Sequence, residues 1–110
     1  MIRKEVYMMK PIPQIETSEL RSRLQNGENV YMIDVREDEE VAAGMISGAM
    51  HIPMGDIPNR LDDIPRDQEV IIICRSGGRS QHVCEFLSHQ GLDNVTNMKG
   101  GMLQWHDDEE

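Results

Sequence analysis

Apolar residues gather in three short runs along the chain, and polar stretches with helical spacing separate them. Residues 30–35 (Val-Tyr-Met-Ile-Asp-Val) have the length of a strand, and residues 49–52 form a briefer one that Pro53 ends. Val70, Ile71, Ile72 and Ile73 follow one another without a polar interruption and lead into Cys74. A run of β-branched residues with no alternation predicts a strand covered on both faces, as in a parallel sheet. Residues 94–97 supply a last short strand. Between these runs, Leu20 and Leu24 lie one turn apart on a helix that Ser18 can cap and Gly27 can end. Residues 37–43 read as a short helix with acidic residues in its first turn, where the helix dipole favours them. Residues 56–61 predict a single helical turn, and residues 77–90 a longer helix with Val83, Phe86 and Leu87 on its inner face and Gly91 as its stop. Gly100-Gly101 opens a terminal helix on which Leu103 and Trp105 are expected to pack against the body. Strands alternating with helices predict an α/β fold around a parallel sheet with helices on both faces.

The chain has 110 residues, which suits one domain of the usual size, roughly 100–150 residues. Its core is expected over about residues 15–106, with an N-terminal arm at 1–13 around Pro11 and Pro13 and a frayed acidic tail at 107–110. Twenty acidic side chains against 11 basic ones give a net charge of -9, which repels phosphate backbones and anionic membranes and argues against both as partners. Glu5 and Lys10 interrupt the first residues before a signal-peptide core can form. No apolar run approaches the roughly 20 residues that span a bilayer. Two cysteines are too few for a disulfide framework, so the expected compartment is the reducing cytoplasm.

Chemistry concentrates in Cys74-Arg75-Ser76-Gly77-Gly78-Arg79-Ser80. The cysteine closes a buried strand, and the loop turns at once into a helix, which places the sulfur at the carboxyl edge of the sheet, where open α/β folds bind ligands. Gly77 and Gly78 permit backbone angles that point several N–H groups inward as an anion-binding nest. An ordinary cysteine, with a pKa of about 8.5, is only a few per cent thiolate at neutral pH. Lowering that value to roughly 6.5 takes about 2.7 kcal/mol, more than a helix dipole of about 0.3–1 kcal/mol supplies, so N–H donors and Arg75 or Arg79 are expected to add the rest. Cysteine phosphatases place five residues between cysteine and arginine; here Arg79 follows after four, and Ser80 holds the position the arginine would need. The shorter ring suits a smaller guest, such as one sulfane sulfur.

Three separated stretches resemble the rhodanese-like domain family in its single-domain form. They are Asp34-Val35-Arg36-Glu37 with Glu40, residues 44–53 (Gly-Met-Ile-Ser-Gly-Ala-Met-His-Ile-Pro), and residues 74–80; Gly100-Gly101 with Trp105 resembles the family's terminal turn and helix. The resemblance covers about residues 15–105. It implies a central five-stranded parallel sheet and a sulfurtransferase in which Cys74 takes sulfur as a persulfide and needs no cofactor. The donor would be a small one such as thiosulfate or a persulfide, and the acceptor cyanide, a thiol or a protein. Arg75 and Arg79 would orient the donor, the N–H groups from Arg75 through Ser76, Gly77, Gly78 and Arg79 to Ser80 would hold the persulfide charge, and Asp34, Arg36 and Glu40 would tie the loops together. Met45 stands where members often carry histidine, which bears on surface contacts rather than on the nucleophile.

Two other readings compete: a phosphatase or arsenate reductase using the same cradle, which the four-residue gap disfavours, and a non-catalytic binding or regulatory module, which the intact cysteine and arginines disfavour. Cys84 lies ten residues from Cys74, roughly 15 Å along a helical path at about 1.5 Å per residue, so it reads as a packing residue and not as a disulfide partner. His51, His82, His89 and His106 lack metal-ligand spacing, and no metal is expected. Met45, Met54 and Met102 are candidates for lining a donor pocket.

Overall fold

The computed structural model of the chain describes residues 11–109. In chain order the elements are β1 (Gln14–Ile15), α1 (Thr17–Gln25), β2 (Tyr31–Asp34), α2 (Asp38–Ala42), β3 (Met50–His51), two 3₁₀ segments (Met54–Asn59 and Leu61–Asp63), β4 (Val70–Ile73), α3 (Gly78–His89), β5 (Val95–Met98) and α4 (Gly101–Asp107). All pairings are parallel, and the five strands lie in the order β1-β5-β4-β2-β3. Each expected strand is present with its ends trimmed or shifted by a residue or two, as hydrogen-bond assignments commonly are. The fifth strand, β1, is a two-residue edge element that pairs Gln14 with Asn97 and Ile15 with Met98. It is too short to show a period in the sequence. Of the arm expected at 1–13, residues 1–10 lie outside the described residues.

The unbroken run in β4 now has its reason. Val70, Ile72 and Cys74 face one side and join Ile33, Val35, Val83, Cys84, Leu87 and Val95 in a core closed by α3 and the 3₁₀ segments. Ile71 and Ile73 face the other side, with Leu20, Met32, Met98, Met102 and Trp105 under α1 and α4. A strand with two buried faces has no use for polar alternation.

Two expectations about the C-terminus change. Leu103 is 48% exposed, and it is Met102 and Trp105 that seat α4. Three residues of the expected acidic tail are tied down: Asp107 ends α4, Thr17 donates its hydroxyl to the Asp108 carboxylate, and Arg21 lies 3.6 Å from a Glu109 oxygen. The guanidinium of Arg21 also stacks 3.8 Å from the centre of the Trp105 ring and donates to the Trp105 carbonyl at 2.7 Å. Asp108 and Glu109 thus answer a hydroxyl and a cation on α1. Among the described residues no helix is long and apolar enough to cross a membrane.

Candidate active site

Chain order reverses across the sheet between β2 and β4: β2 leads outward to β3, whereas β4 leads to β5 on the opposite side. That divergence leaves a crevice at the strands' carboxyl ends, where Asp34 ends β2 and Cys74 follows β4. The Cys74 side chain continues the alternation of Val70 and Ile72, so it points under the first turn of α3 and is fully buried, with 0% exposure. Gly77, with φ at +99°, makes the turn into α3. Few side chains tolerate that angle, and a Cβ there would stand 3.1 Å from the Gly100 nitrogen.

The loop then wraps the sulfur in donors. The Gly77 N–H donates to Sγ at 3.0 Å and the Ser80 hydroxyl lies 3.2 Å from it, while the N–H groups of Ser76 and Ser80 also face it. Burial is the largest single influence on the thiol and pushes its pKa up; the Ser80 hydroxyl and the N–H groups of Ser80, Gly77 and Ser76 together outweigh it and hold the thiol below its ordinary value. Hydrogen bonds therefore lead where the sequence reading gave the arginines a necessary share. Charge attraction between Cys74 and Arg79 is present, but for Arg79 it ranks behind the pull of Glu40. Behind Ser80 stands Asn97, 4% exposed on β5, whose Oδ1 lies 2.5 Å from the same hydroxyl oxygen.

Arg79 does not reach over the sulfur as a free cation. Its two terminal nitrogens donate to the two carboxylate oxygens of Glu40, each at 2.8 Å, clamping α3 to α2. Glu40 also accepts from the Glu37 N–H at the start of α2. These bonds, that from Arg79 first, hold its carboxyl down at about 2. The expected trio of Asp34, Arg36 and Glu40 is thus split. Asp34 and Arg36 pair with each other through several hydrogen bonds, and Arg36 donates onward to the Gly44 carbonyl at 2.8 Å, whereas Glu40 belongs to Arg79. Arg75 is exposed and, with Arg36, Glu40, Met102, Leu103 and His106, lines a hollow of about 240 Å³ beside the loop.

The first N–H groups of α4 support the loop from beneath: Met102 donates to the Cys74 carbonyl at 2.9 Å and Leu103 to the Arg75 carbonyl at 3.0 Å. The approach is so close that a Cβ on Gly101 would collide with the Arg75 peptide group. Gly101 is thus part of the loop's seat, and the helix N-terminus finds partners for donors that would otherwise be orphaned.

The family model for the rhodanese-like domain matches residues 16–108. The chain belongs to that family. This rhodanese-like chain is 50% identical over 94 residues to YtwF of Bacillus subtilis, covering 86% of the chain and 90% of that protein. It is 42% identical over 94 residues to a protein of Allochromatium vinosum named sulfurtransferase, covering 86% of the chain and 88% of that protein. A rhodanese-like domain protein from Staphylococcus aureus superposes with a TM-score of 0.81 at 39% identity, covering 86% of this chain and 91% of that one.

Among the residues singled out in advance, the rhodanese-like loop brings Cys74, Ser76, Gly77 and Ser80 together around the sulfur. Met102 reaches the hollow beside the loop, but Met45 and Met54 line separate grooves, Met45 with Arg21 and Trp105 and Met54 with His82 and Phe86. Cys84 is buried and free in the same core as Cys74, and burial first, then the negative charges of Glu85 and Cys74, pushes its thiol up to about 12. It is inert packing. The sequence reading placed Asn97 in a strand and Gly101 at the start of a helix but assigned neither to the site. A signal existed for Asn97, since an amide on a strand of a sheet covered on both faces must find buried partners.

Proposed function

We propose that the chain is a rhodanese-type sulfurtransferase that carries sulfane sulfur on Cys74. The carrying observation is the ring of donors aimed at Sγ, made by Ser76, Gly77 and Ser80. The thiolate attacks the outer sulfur of a donor such as thiosulfate; an Sγ–S bond forms, the donor's S–S bond breaks, and sulfite leaves with the bonding pair. The persulfide's negative charge then rests on the added sulfur within reach of the loop's N–H groups. A nucleophile, cyanide or a thiolate, takes that sulfur and returns the Cys74 thiolate. Arg75, Ser76, Gly77, Gly78, Arg79 and Ser80 form the donor's binding surface in this reading, and Asp34, Arg36 and Glu40 hold the loops around it. Arg75, at the edge of the hollow, attracts the anionic donor, while Arg79 acts mainly through its clamp on Glu40. Arg79, the loop arginine nearest the position that phosphoryl transfer would use, is held by Glu40 instead of standing free over the sulfur.

Residues 16–108 act as one domain, and the reducing cytoplasm suits a protein whose nucleophile must stay unoxidised. Steady-state transfer from thiosulfate to cyanide tests the reading. Cys74→Ser is expected to abolish turnover and Cys84→Ser to retain it; full activity in Cys74→Ser would overturn the proposal.

A further inference from the structure

Ser80 has one hydroxyl proton and two neighbours able to accept it: Sγ of Cys74 at 3.2 Å and Oδ1 of Asn97 at 2.5 Å. The amide of Asn97 cannot turn to relieve the competition. Its Nδ2 donates to Oε1 of Gln14 at 2.8 Å and to the Gly77 carbonyl at 3.3 Å, so a flip would set oxygen against oxygen. Gln14 is fixed in turn, because its Nε2 donates to the Ile12 carbonyl and to Oε1 of Gln81. The chain of amides ends on backbone carbonyls, which have no other role to adopt. Oδ1 therefore faces Ser80 as a committed acceptor.

We propose that Asn97 is a positioning residue that competes with the Cys74 sulfur for the Ser80 proton, so that the direction of this proton follows the charge on Sγ. When Sγ is a thiolate, the proton turns to it and leaves Oδ1 of Asn97 unsatisfied in a buried site. When Sγ is a neutral thiol, its own S–H can donate to the Ser80 oxygen while Ser80 donates to Asn97, and every group is satisfied. A persulfide has the same preference, since its charge sits on the outer sulfur and the inner Sγ is neutral. Asn97 therefore restrains the bare thiolate and favours the loaded form, which discourages sulfur from being held too weakly. The persulfide half of this statement rests on the sulfur-transfer reading; the thiolate half does not.

The test uses the full chain with no sulfur donor: the rate of alkylation of Cys74 followed across pH. Arg79, with Glu40 and Glu37 behind it, and Cys84 are the described groups whose charges couple with the Cys74 sulfur; the Asp34–Arg36 pair at the end of β2 and Arg75 in the loop are the charged groups beside them, and none of these is altered in the variants. Cys84, pushed up to about 12, stays silent over the measured range. Asn97→Leu, close in shape but without an acceptor, is expected to move the midpoint to lower pH and to raise alkylation below that midpoint roughly three- to tenfold. Asn97→Thr, which keeps a polar group in the strand and can donate to Ser80, is expected to move it the same way and serves if the leucine variant fails to fold. Ser80→Ala is expected to move it to higher pH, and adding Asn97→Leu or Asn97→Thr to Ser80→Ala is expected to change nothing further. A midpoint that rises or stays put in the folded Asn97 variants, or that falls equally with Ser80 absent, overturns the role assigned to Asn97. Because no donor is present, that failure would leave the sulfur-transfer reading untouched, and absence of transferase activity would leave the predicted shifts in place.

Discussion

At the scale of single residues the site turns on a contest between burial and hydrogen bonding at one sulfur. Cys74 and Cys84 are both fully buried, yet their thiols move in opposite directions, down for Cys74 and up to about 12 for Cys84. Only Cys74 has hydroxyl and N–H donors pointed at it. Removing the Ser80 hydroxyl takes away the first of the lowering influences, so Ser80→Ala should slow alkylation of Cys74 at neutral pH and move its pH profile upward. In the unaltered protein, peptide mapping after alkylation near neutrality should find label on Cys74 and none on Cys84 until the chain is denatured. The cradle around the Cys74 sulfur was legible because everything it needs lies within seven consecutive residues: a strand end, two glycines, and donors that open a helix. Asn97 was not, because its partner Ser80 is 17 residues away and the pairing depends on β5 lying beside β4.

At the scale of elements, the loop from Cys74 to Ser80 is held at both ends by contacts of different kinds. The Arg79–Glu40 clamp fixes the first turn of α3 to α2 across 39 residues of chain. Glu40 is depressed from 4.5 to about 2, so the clamp's contribution is complete above 4.5, declines as pH falls below that, and is lost once pH has fallen through about 2. Carboxyl NMR titration should place the Glu40 midpoint near 2 and, in Arg79→Ala, back toward 4.5. Both side chains are partly solvated, so the pair itself should contribute only about 0.2–1 kcal/mol in a double-mutant cycle. Gly101 makes the stricter demand. Gly101→Ala would force a Cβ into the Arg75 peptide at a φ of +62°, and the α4 donors to Cys74 and Arg75 would have to part from the loop. The variant should lose several degrees of Tm together with most of its transferase activity, measured by calorimetry and by the thiosulfate assay. In the sequence, the double glycine marked the start of a helix, but nothing local said which peptide group it had to admit. The same gap hid the partner of Glu40: its charge and helix position were readable, Arg79 on α3 was not.

At the scale of the molecule, the alternation of Val70, Ile72 and Cys74 against Ile71 and Ile73 makes one strand serve two cores and delivers the sulfur to the α3 side. Patterning of this kind is encoded directly, which is why the parallel α/β architecture could be read in advance. Side-chain ties between chain ends are not encoded that way, and the acidic C-terminus was therefore read as a free tail when Thr17 and Arg21 in fact engage it. Arg21 binds the layer of α1 to that of α4 through the Trp105 ring and carbonyl. Arg21→Ala should lower stability by about 1–2 kcal/mol in urea denaturation. It should leave the alkylation profile of Cys74 unchanged, because this junction lies across the sheet from the sulfur.

Mass-spectrometric mapping of the protein after brief exposure to thiosulfate tests most directly whether the ringed sulfur carries a transferable atom. The account predicts one additional sulfur on the peptide containing Cys74, none on Cys84, and its removal by cyanide with release of thiocyanate. An unmodified Cys74 under conditions where the protein nonetheless transfers sulfur, or the added atom found on Cys84, would contradict it.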